Sequence, residues 1–355
     1  MKLTIARQDL ARVLTNVGRV VEARTTIPIL SNVKLSAVLG QLRVTGTDLD
    51  IVATDAAPAE VTAEGDICVS AKLLADIAKK AGGDVTMSLD GGKLVVTSGK
   101  SKFSLQTLPA DTFPDLAEGK YDATFEIDLA ALFAPTTFAI STEETRWYLN
   151  GVFFKGDGSK FTAVATDGHR LSKHVRDVGE DTFDSFTGII VPRKTVSVLP
   201  KSTVNLSVSD SKIRVVAGDF VLVSKLVDGT FPDYERVIPK DNDLVVTVDR
   251  DALLKASDRV ATISGERGKA VKLSISPGLI KLTVSNPENG DAEDEVPAEC
   301  NGEPVDIGFN AAYLRELLSV LPSGEVKLSL RDGGSPTVVT GGAEALTLVL
   351  MPMRV

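Results

Sequence analysis

Large apolar residues alternate with small or polar ones along Leu42-Arg43-Val44-Thr45-Gly46-Thr47-Asp48. This is the pattern of a half-buried strand that closes on a turn residue. The pattern returns at Phe161-Thr162-Ala163-Val164-Ala165-Thr166-Asp167 and at Ile280-Lys281-Leu282-Thr283-Val284-Ser285-Asn286, so the three copies begin at residues 42, 161 and 280, two equal steps. Other landmarks keep nearly the same period. Ile5…Leu10 corresponds to Ile127…Leu132 and Val248…Leu253, and Leu74/Ile77 to Val196/Leu199 and Leu314/Leu317. Thr112-Phe113-Pro114-Asp115 recurs as Thr230-Phe231-Pro232-Asp233. A period of about 120 residues is too long for a solenoid and fits a tandem array of complete domains.

Each copy reads as strand, helix, several strands, helix, several strands. In the first helix Leu10, Val13, Leu14, Val17 and Val21 fall at helical spacing, with Arg12 and Arg19 on another face. The second, Lys72 to Lys80, is expected to bury Leu73, Leu74 and Ile77 and to stop at Gly82-Gly83. Gly91-Gly92 and Gly341-Gly342 read as hairpin turns, not phosphate loops, since no Lys-Ser/Thr follows them. Two helices packed on β-sheets and repeated three times make an α+β architecture. Polar, turn-rich breaks near Lys120-Tyr121 and Lys240-Asp241-Asn242-Asp243 divide it into modules at 1–120, 121–243 and 244–355.

The 355 residues are 43% hydrophobic and 25% charged, the balance of a soluble protein of two or three domains. No apolar run is long enough to span a bilayer, and Met1 to Arg7 lack the apolar core of a signal peptide. Cys68 and Cys300 are far apart without metal-ligand spacing and read as reduced thiols, so a cytoplasmic location is expected. The net charge of −9 argues against a tight DNA binder, but its distribution qualifies that. Residues 1–120 carry 14 basic and 14 acidic side chains, 121–240 carry 14 and 16, and 241–355 carry 11 and 18. A basic surface therefore has room outside the last third. Its candidates lie on or beside the expected helices: Arg12, Arg19, Lys72, Lys79, Lys80, Arg193, Lys194, Arg250, Lys255 and Arg259.

Catalysis has little support. Asp167, His169 and Arg170 suggest acid–base chemistry, but Asp167 reads more simply as a turn residue, because Asp48-Leu49 and Asn286-Pro287 occupy the equivalent turns. No Gly-x-Ser-x-Gly nucleophile motif or metal-spaced histidine cluster accompanies them. No metal or cofactor is expected.

Several strings resemble the β subunit of bacterial DNA polymerase III, the sliding-clamp family. They are Arg24-Thr25-Thr26-Ile27-Pro28-Ile29-Leu30, Arg146-Trp147-Tyr148-Leu149-Asn150-Gly151, Ala165-Thr166-Asp167-Gly168-His169-Arg170-Leu171, Val191-Pro192-Arg193-Lys194, Phe231-Pro232-Asp233-Tyr234 and the ending Met351-Pro352-Met353-Arg354-Val355. The terminal Val355 departs from the family's usual Leu. The resemblance implies a non-enzymatic, head-to-tail homodimer whose six modules close a ring around duplex DNA and tether the polymerase. It implies sequence-independent DNA contacts at Arg24, Lys72, Lys79, Arg146, Trp147, Tyr148, Arg193 and Lys194. On residues alone, Trp147 and Tyr148 are equally core packing, and Arg24 is a solvated loop charge.

The resemblance also implies a peptide pocket lined by Leu149, Thr166, Gly168, His169, Arg170, Leu171, Pro232, Arg236, Val237, Asn310, Tyr313, Ser335, Val349, Met351, Pro352, Met353 and Arg354. Short apolar motifs of polymerase, clamp loader and repair or translesion polymerases are its expected ligands. Gly268, where the family often has a bulky residue, suggests a shallower wall. Two methionines flanking a proline at a chain end suit an adaptable surface on their own terms. Charge and apolar patterning place a dimer contact between Lys100, Lys102, Phe103 and Leu105 of the first module and Thr262, Ile263, Glu288, Asp291, Glu293, Asp294 and Glu295 of the third. A monomeric scaffold with protein partners only, and more weakly a hydrolase using Asp167 and His169, remain the alternatives at this point.

Overall fold

The three equivalent strand ends fold alike because the same side-chain chemistry closes each one. In the computed structural model, which describes residues 1–22, 24–114, 119–180, 182–265, 270–342 and 345–354, the strands are Gln41–Thr47, Lys160–Thr166 and Gly278–Asn286. Asp48 Oδ1 accepts from the backbone N–H groups of Asp50 and Ile51, Asp167 Oδ1 from those of His169 and Arg170, and Asn286 Oδ1 from those of Glu288 and Asn289. Each is an Asx turn that redirects the chain into the next antiparallel strand. The turn reading of Asp167 therefore stands. At its sharpest point Gly168 has φ +87°, while Leu49, its counterpart in the first copy, is held at φ +82°. Gly268 and Val355 lie outside the described residues.

Six α-helices occur among the described residues: α1 (Arg7–Gly18), α2 (Ala71–Lys80), α3 (Leu129–Phe133), α4 (Arg193–Val198), α5 (Arg250–Val260) and α6 (Ala311–Ser319). Leu10, Val13, Leu14 and Val17 of α1 are buried as their spacing predicts, but the helix stops at Gly18 and leaves Val21 outside it. In α2 the buried residues are Ala71, Leu74 and Ala78. Leu73, expected in the core, is 52% exposed and Ile77 is only half-buried. Small alanines let α2 lie close against its neighbours, which rotates the face inward from the one its largest side chains suggest. The opening helix of the second copy is cut to one turn, because Pro135 follows and the chain continues as a 3-10 helix, Ala134–Ala139. Gly91 and Gly92, both with positive φ, turn the hairpin between Val85–Asp90 and Lys93–Ser98 as expected. Gly341 instead ends the strand Thr337–Gly341, and only Gly342 has positive φ.

The chain forms two compact units. One comprises Met1–Leu129 with Ser197–Leu226, and the other Ala130–Val196 with Val227–Val355. Among the described residues each unit holds one continuous sheet, of 13 and 12 strands respectively. In the first, the strand Ile51–Pro58 pairs with Phe220–Lys225, so segments far apart in the chain share one ladder. In the second, Arg170–Asp177 pairs with the last strand, Ala345–Leu350. Hydrogen bonding thus passes over the sequence breaks that separate the repeats. In the first unit α1 and α2 pack together over a core built on Leu3, Leu35, Val44 and Leu94. In the second, α5 and α6 do the same over Val246, Leu273, Ile307 and Leu328.

One polar contact pins α1 to its sheet. Asp55 is fully buried, and its carboxylate accepts from Arg12 Nη1 at 3.1 and 3.2 Å, from Asn16 Nδ2 at 2.7 Å and from the Ala56 N–H at 2.8 Å. Arg12 also donates to the Ala56 carbonyl at 3.0 Å. Removing the cation leaves a buried carboxylate without its counter-charge. Arg12→Ala should therefore lower unfolding stability by about 3 kcal/mol in urea titration. A loss near that of an ordinary surface substitution, about 0.5 kcal/mol, would contradict this role.

Candidate functional site

The last strand organises the candidate pocket of the second unit. Leu171 pairs with Val349 and Arg170 with Leu350, which lays the chain end beside the Asp167 turn. Beyond the strand, the Met351 N–H donates to the His169 carbonyl at 2.8 Å and the Met353 N–H to the Gly308 carbonyl at 2.7 Å. Pro352, with no N–H to donate, sits between these two anchors. The backbone is fixed while the Met351 and Met353 side chains stay 40% and 39% exposed.

Beside this tail lies an apolar floor. Leu149, Leu171 and Val349 are buried together with Val164, Ile190, Phe231 and Tyr234, and Phe153 stacks on Phe231 at 5.0 Å between centroids. Arg170 forms the opposite wall. Only 9% exposed, it donates from Nε to Asp167 Oδ2 at 3.0 Å and from Nη1 to Glu316 of α6. Its guanidinium lies over the Tyr313 ring at 4.3 Å and the Phe138 ring at 5.2 Å, and His169 stacks on Tyr313 at 6.1 Å. Two carboxylates and two rings hold Arg170 in one rotamer, a fixed wall rather than a mobile charge.

The remaining residues of the expected pocket divide into rim and support. Pro232, Val237 and Arg236 are exposed; Val237 is 56% accessible, and Arg236 pairs with Asp233 at 2.8 Å. Arg236 and Val237, with Ser335 and Arg331, border a cleft of about 620 Å³ along the segment Val237 to Asn242. Arg354 is exposed. Asn310 caps α6, accepting from the N–H groups of Ala312 and Tyr313, and so positions Tyr313. Thr166 Oγ1 donates to the Arg170 carbonyl at 2.8 Å and braces the turn. Ser335 is buried and accepts from Arg331 Nη2 at 2.7 Å. Glu316 and Phe138 had no signal in the sequence, because their contacts to Arg170 join segments remote in the chain.

Models of the DNA polymerase III beta subunit match in order: the N-terminal domain at residues 1–117, the central domain at 126–233 and the C-terminal domain at 235–354. The chain belongs to this family. It is 43% identical to the beta sliding clamp of Caulobacter vibrioides and 35% identical to that of Escherichia coli K12, in both cases over the full length of both chains. Among solved structures, the clamp of Bartonella birtlesii bound to griselimycin superposes with a TM-score of 0.95 at 41% identity, covering all of both chains. The family fold of three successive domains is thus present here, in a family named as a polymerase subunit that is not the catalytic one. Among the described residues no group of side chains could hold a metal ion.

The family's candidate DNA contacts are placed as follows. In the second unit, a 3-10 segment, Glu144–Leu149, carries Arg146, Trp147 and Tyr148. The Trp147 N–H donates to the Asp228 carbonyl at 2.9 Å, leaving the ring 55% exposed and edge-on to Tyr148 at 5.7 Å. Arg146 pairs with Glu143 at 2.6 Å and holds that carboxyl below its ordinary range. The Arg193 N–H donates to the Asn150 carbonyl, which brings α4, with Arg193 exposed and Lys194 half-buried, beside this segment. In the first unit Arg24, Lys72 and Lys79 are exposed. Arg7, absent from the sequence candidates, donates to the carbonyls of Ala78 and Lys79 and caps α2. Three other cations are committed to structure. Arg12 holds Asp55, Arg250 is only 14% exposed and bonds Ser323 and Asp251, and Arg259 pairs with Asp294 at 2.6 Å.

The dimer candidates lie on two open strand edges. Ser101–Leu108 pairs with Lys93–Ser98 along its length, but on its other side only Thr107 and Leu108 meet a partner. Ser101 to Gln106 therefore present an unpaired edge among the described residues, carrying Lys102, a 40% exposed Phe103 and a half-buried Leu105, with Lys100 in the preceding turn. In Gly290–Cys300 the residues Gly290 to Ala298 pair with Gly278–Asn286, and on the other side only Ala298 to Cys300 meet a partner among the described residues. Its open part carries Asp291, Glu293, Asp294 and Glu295, of which Glu293 pairs with Lys281 and Asp294 with Arg259. Glu288 sits in the Asn286 turn. Ile263 packs partly on the core beside an exposed Thr262, and its carbonyl accepts from Asn289.

A Cβ at Gly168 would stand 2.7 Å from Arg146 Nη1, on a backbone that side chains disfavour. Gly168→Ala should reduce stability by about 1 kcal/mol and displace Arg146. An unchanged urea midpoint would show that the turn tolerates a side chain there.

Proposed function

We propose that the protein is a replication sliding clamp: a head-to-tail homodimer that encircles duplex DNA and tethers the replicative polymerase through short peptide motifs. The observation that carries this reading is the tail, whose backbone is pinned at Met351 and Met353 while both thioethers remain exposed beside the floor of Leu149, Leu171 and Val349. A fixed backbone with flexible, polarizable side chains accepts several related apolar anchors. Griselimycin bound to the Bartonella clamp shows that a related protein takes a ligand. The pocket residues named above, the division into modules at 1–120, 121–243 and 244–355, and a cytoplasmic location at the bacterial chromosome all belong to this reading. Polymerase, clamp loader and repair or translesion polymerases would compete for one groove per subunit. Deleting Met351 to Val355 should abolish peptide binding and polymerase stimulation while leaving the dimer intact. Normal stimulation by the truncated protein would place the pocket elsewhere.

The two open edges support the dimer. A Lys- and Phe-bearing strand in one subunit can complete the acidic strand of another, and two such unlike contacts close a twofold ring. Apolar pairing supplies the affinity and the charges set register. Leu105→Ala combined with Ile263→Ala should weaken the dimer by about a hundredfold or more in analytical ultracentrifugation. A double variant that stays dimeric at nanomolar concentration would refute this interface.

A ring that moves must release each phosphate readily, so DNA affinity should be weak, indifferent to sequence and strongly salt-dependent. Arg24→Ala with Arg146→Ala should weaken direct DNA binding and slow loading without changing oligomeric state. Sequence preference, or affinity insensitive to salt, would contradict the sliding mechanism.

A further inference from the structure

We propose a second docking site, on the first unit, for an extended segment of a partner protein that combines acidic and apolar residues. The site lies where the strand Ile51–Pro58 pairs with Phe220–Lys225, on the sheet face opposite the one packed by α1. A cleft of about 680 Å³ opens there. Val52 and Ala56 line it, and both are sheltered (9% and 6% exposed) although they face away from the helices. Val221, Val223 and Phe113 continue this apolar lining.

The charges around that lining are mostly positive among the described residues. Among the described residues Lys34, Arg43 and Arg214 border the cleft, against one acid, Asp219 in the turn before Phe220. Those three cations make no ion pair or side-chain hydrogen bond among the described residues. In a chain of net charge −9, three cations gathered around one sheltered cleft of mixed apolar and polar lining are the feature that a ligand's carboxylates would answer.

Internal repetition supplies an independent argument. The ladder Val52↔Val223 repeats the ladder Leu171↔Val349, and Thr112-Phe113-Pro114 repeats Thr230-Phe231-Pro232. The strand pairing that builds the tail groove is thus built twice, with different chemistry. Where the tail groove has Phe153 and Val164, this cleft has Lys34 and Thr45. Thr45 and Thr54 bond each other across the floor at 3.1 Å. Phe113 is the one aromatic among the described lining residues, so the cleft offers poor stacking for unpaired bases, which favours a peptide over single-stranded nucleic acid.

The test uses the full-length protein and a fluorescein-labelled peptide of alternating Glu and Val, read by anisotropy at low ionic strength. Oligothymidylate and an alternating Lys–Val peptide serve as comparison probes. Arg43→Glu combined with Arg214→Glu should weaken the acidic peptide at least about tenfold. Asp219→Lys should strengthen it, a gain that misfolding cannot produce. Deletion of Met351 to Val355 should leave it unchanged, so this site and the tail groove succeed or fail separately. Equal binding to the charge-reversed protein, or no gain with Asp219→Lys, would overturn the proposal. So would loss of binding in the tail deletion, which would put the peptide in the tail groove. Preference for oligothymidylate would assign the cleft to nucleic acid instead.

Discussion

The backbone pairing of the last strand is the constraint on which the groove depends. Ala345–Leu350 lies between Arg170–Asp177 and Thr337–Gly341, in a register that sets Leu171 against Val349. A slip by one residue would turn Val349 outward and carry Met351 away from the His169 carbonyl, since side chains alternate faces along a strand. The register therefore decides which residues are floor and which remain exposed. The exposure of the two thioethers beside the His169 carbonyl follows from it.

The same constraint explains why rigid and adaptable parts are so unevenly distributed. Arg170 is locked by Asp167, Glu316 and two aromatic rings, and Tyr313 is set by the Asn310 cap. Met351 and Met353 are anchored through their backbone N–H groups, with their side chains exposed. A site with one fixed wall and one soft wall recognises a class of peptides rather than one sequence. The cation Arg12 shows the opposite allocation. Its charge is consumed in holding Asp55, so it contributes to the fold of α1 rather than to an ionic surface.

Much of this was legible in the sequence because it is local. The three strand ends with Asp48, Asp167 and Asn286 announce Asx turns, and the structure forms all three. The family strings around Thr166 to Leu171 and Met351 to Arg354 identified residues that the fold does bring together. What was not legible depends on long-range geometry. Leu73 looked like core because it is large and helical, but alanines at 71 and 78 set the face of α2. Arg250 looked like a surface cation until Ser323 and Asp251 were seen to take its charge. Glu316, the second carboxylate on Arg170, lies 146 residues away in the chain, and no spacing rule reaches that far.

The proposed function is topological: a clamp would hold DNA by surrounding it, not by gripping it. The most direct measurement is retention of the loaded, labelled protein on a closed DNA circle before and after one double-strand cut. A clamp stays on the closed circle through a high-salt wash, which screens phosphate contacts, and is lost once an end is available. Dissociation from circular and linear DNA at the same salt-dependent rate would contradict the account.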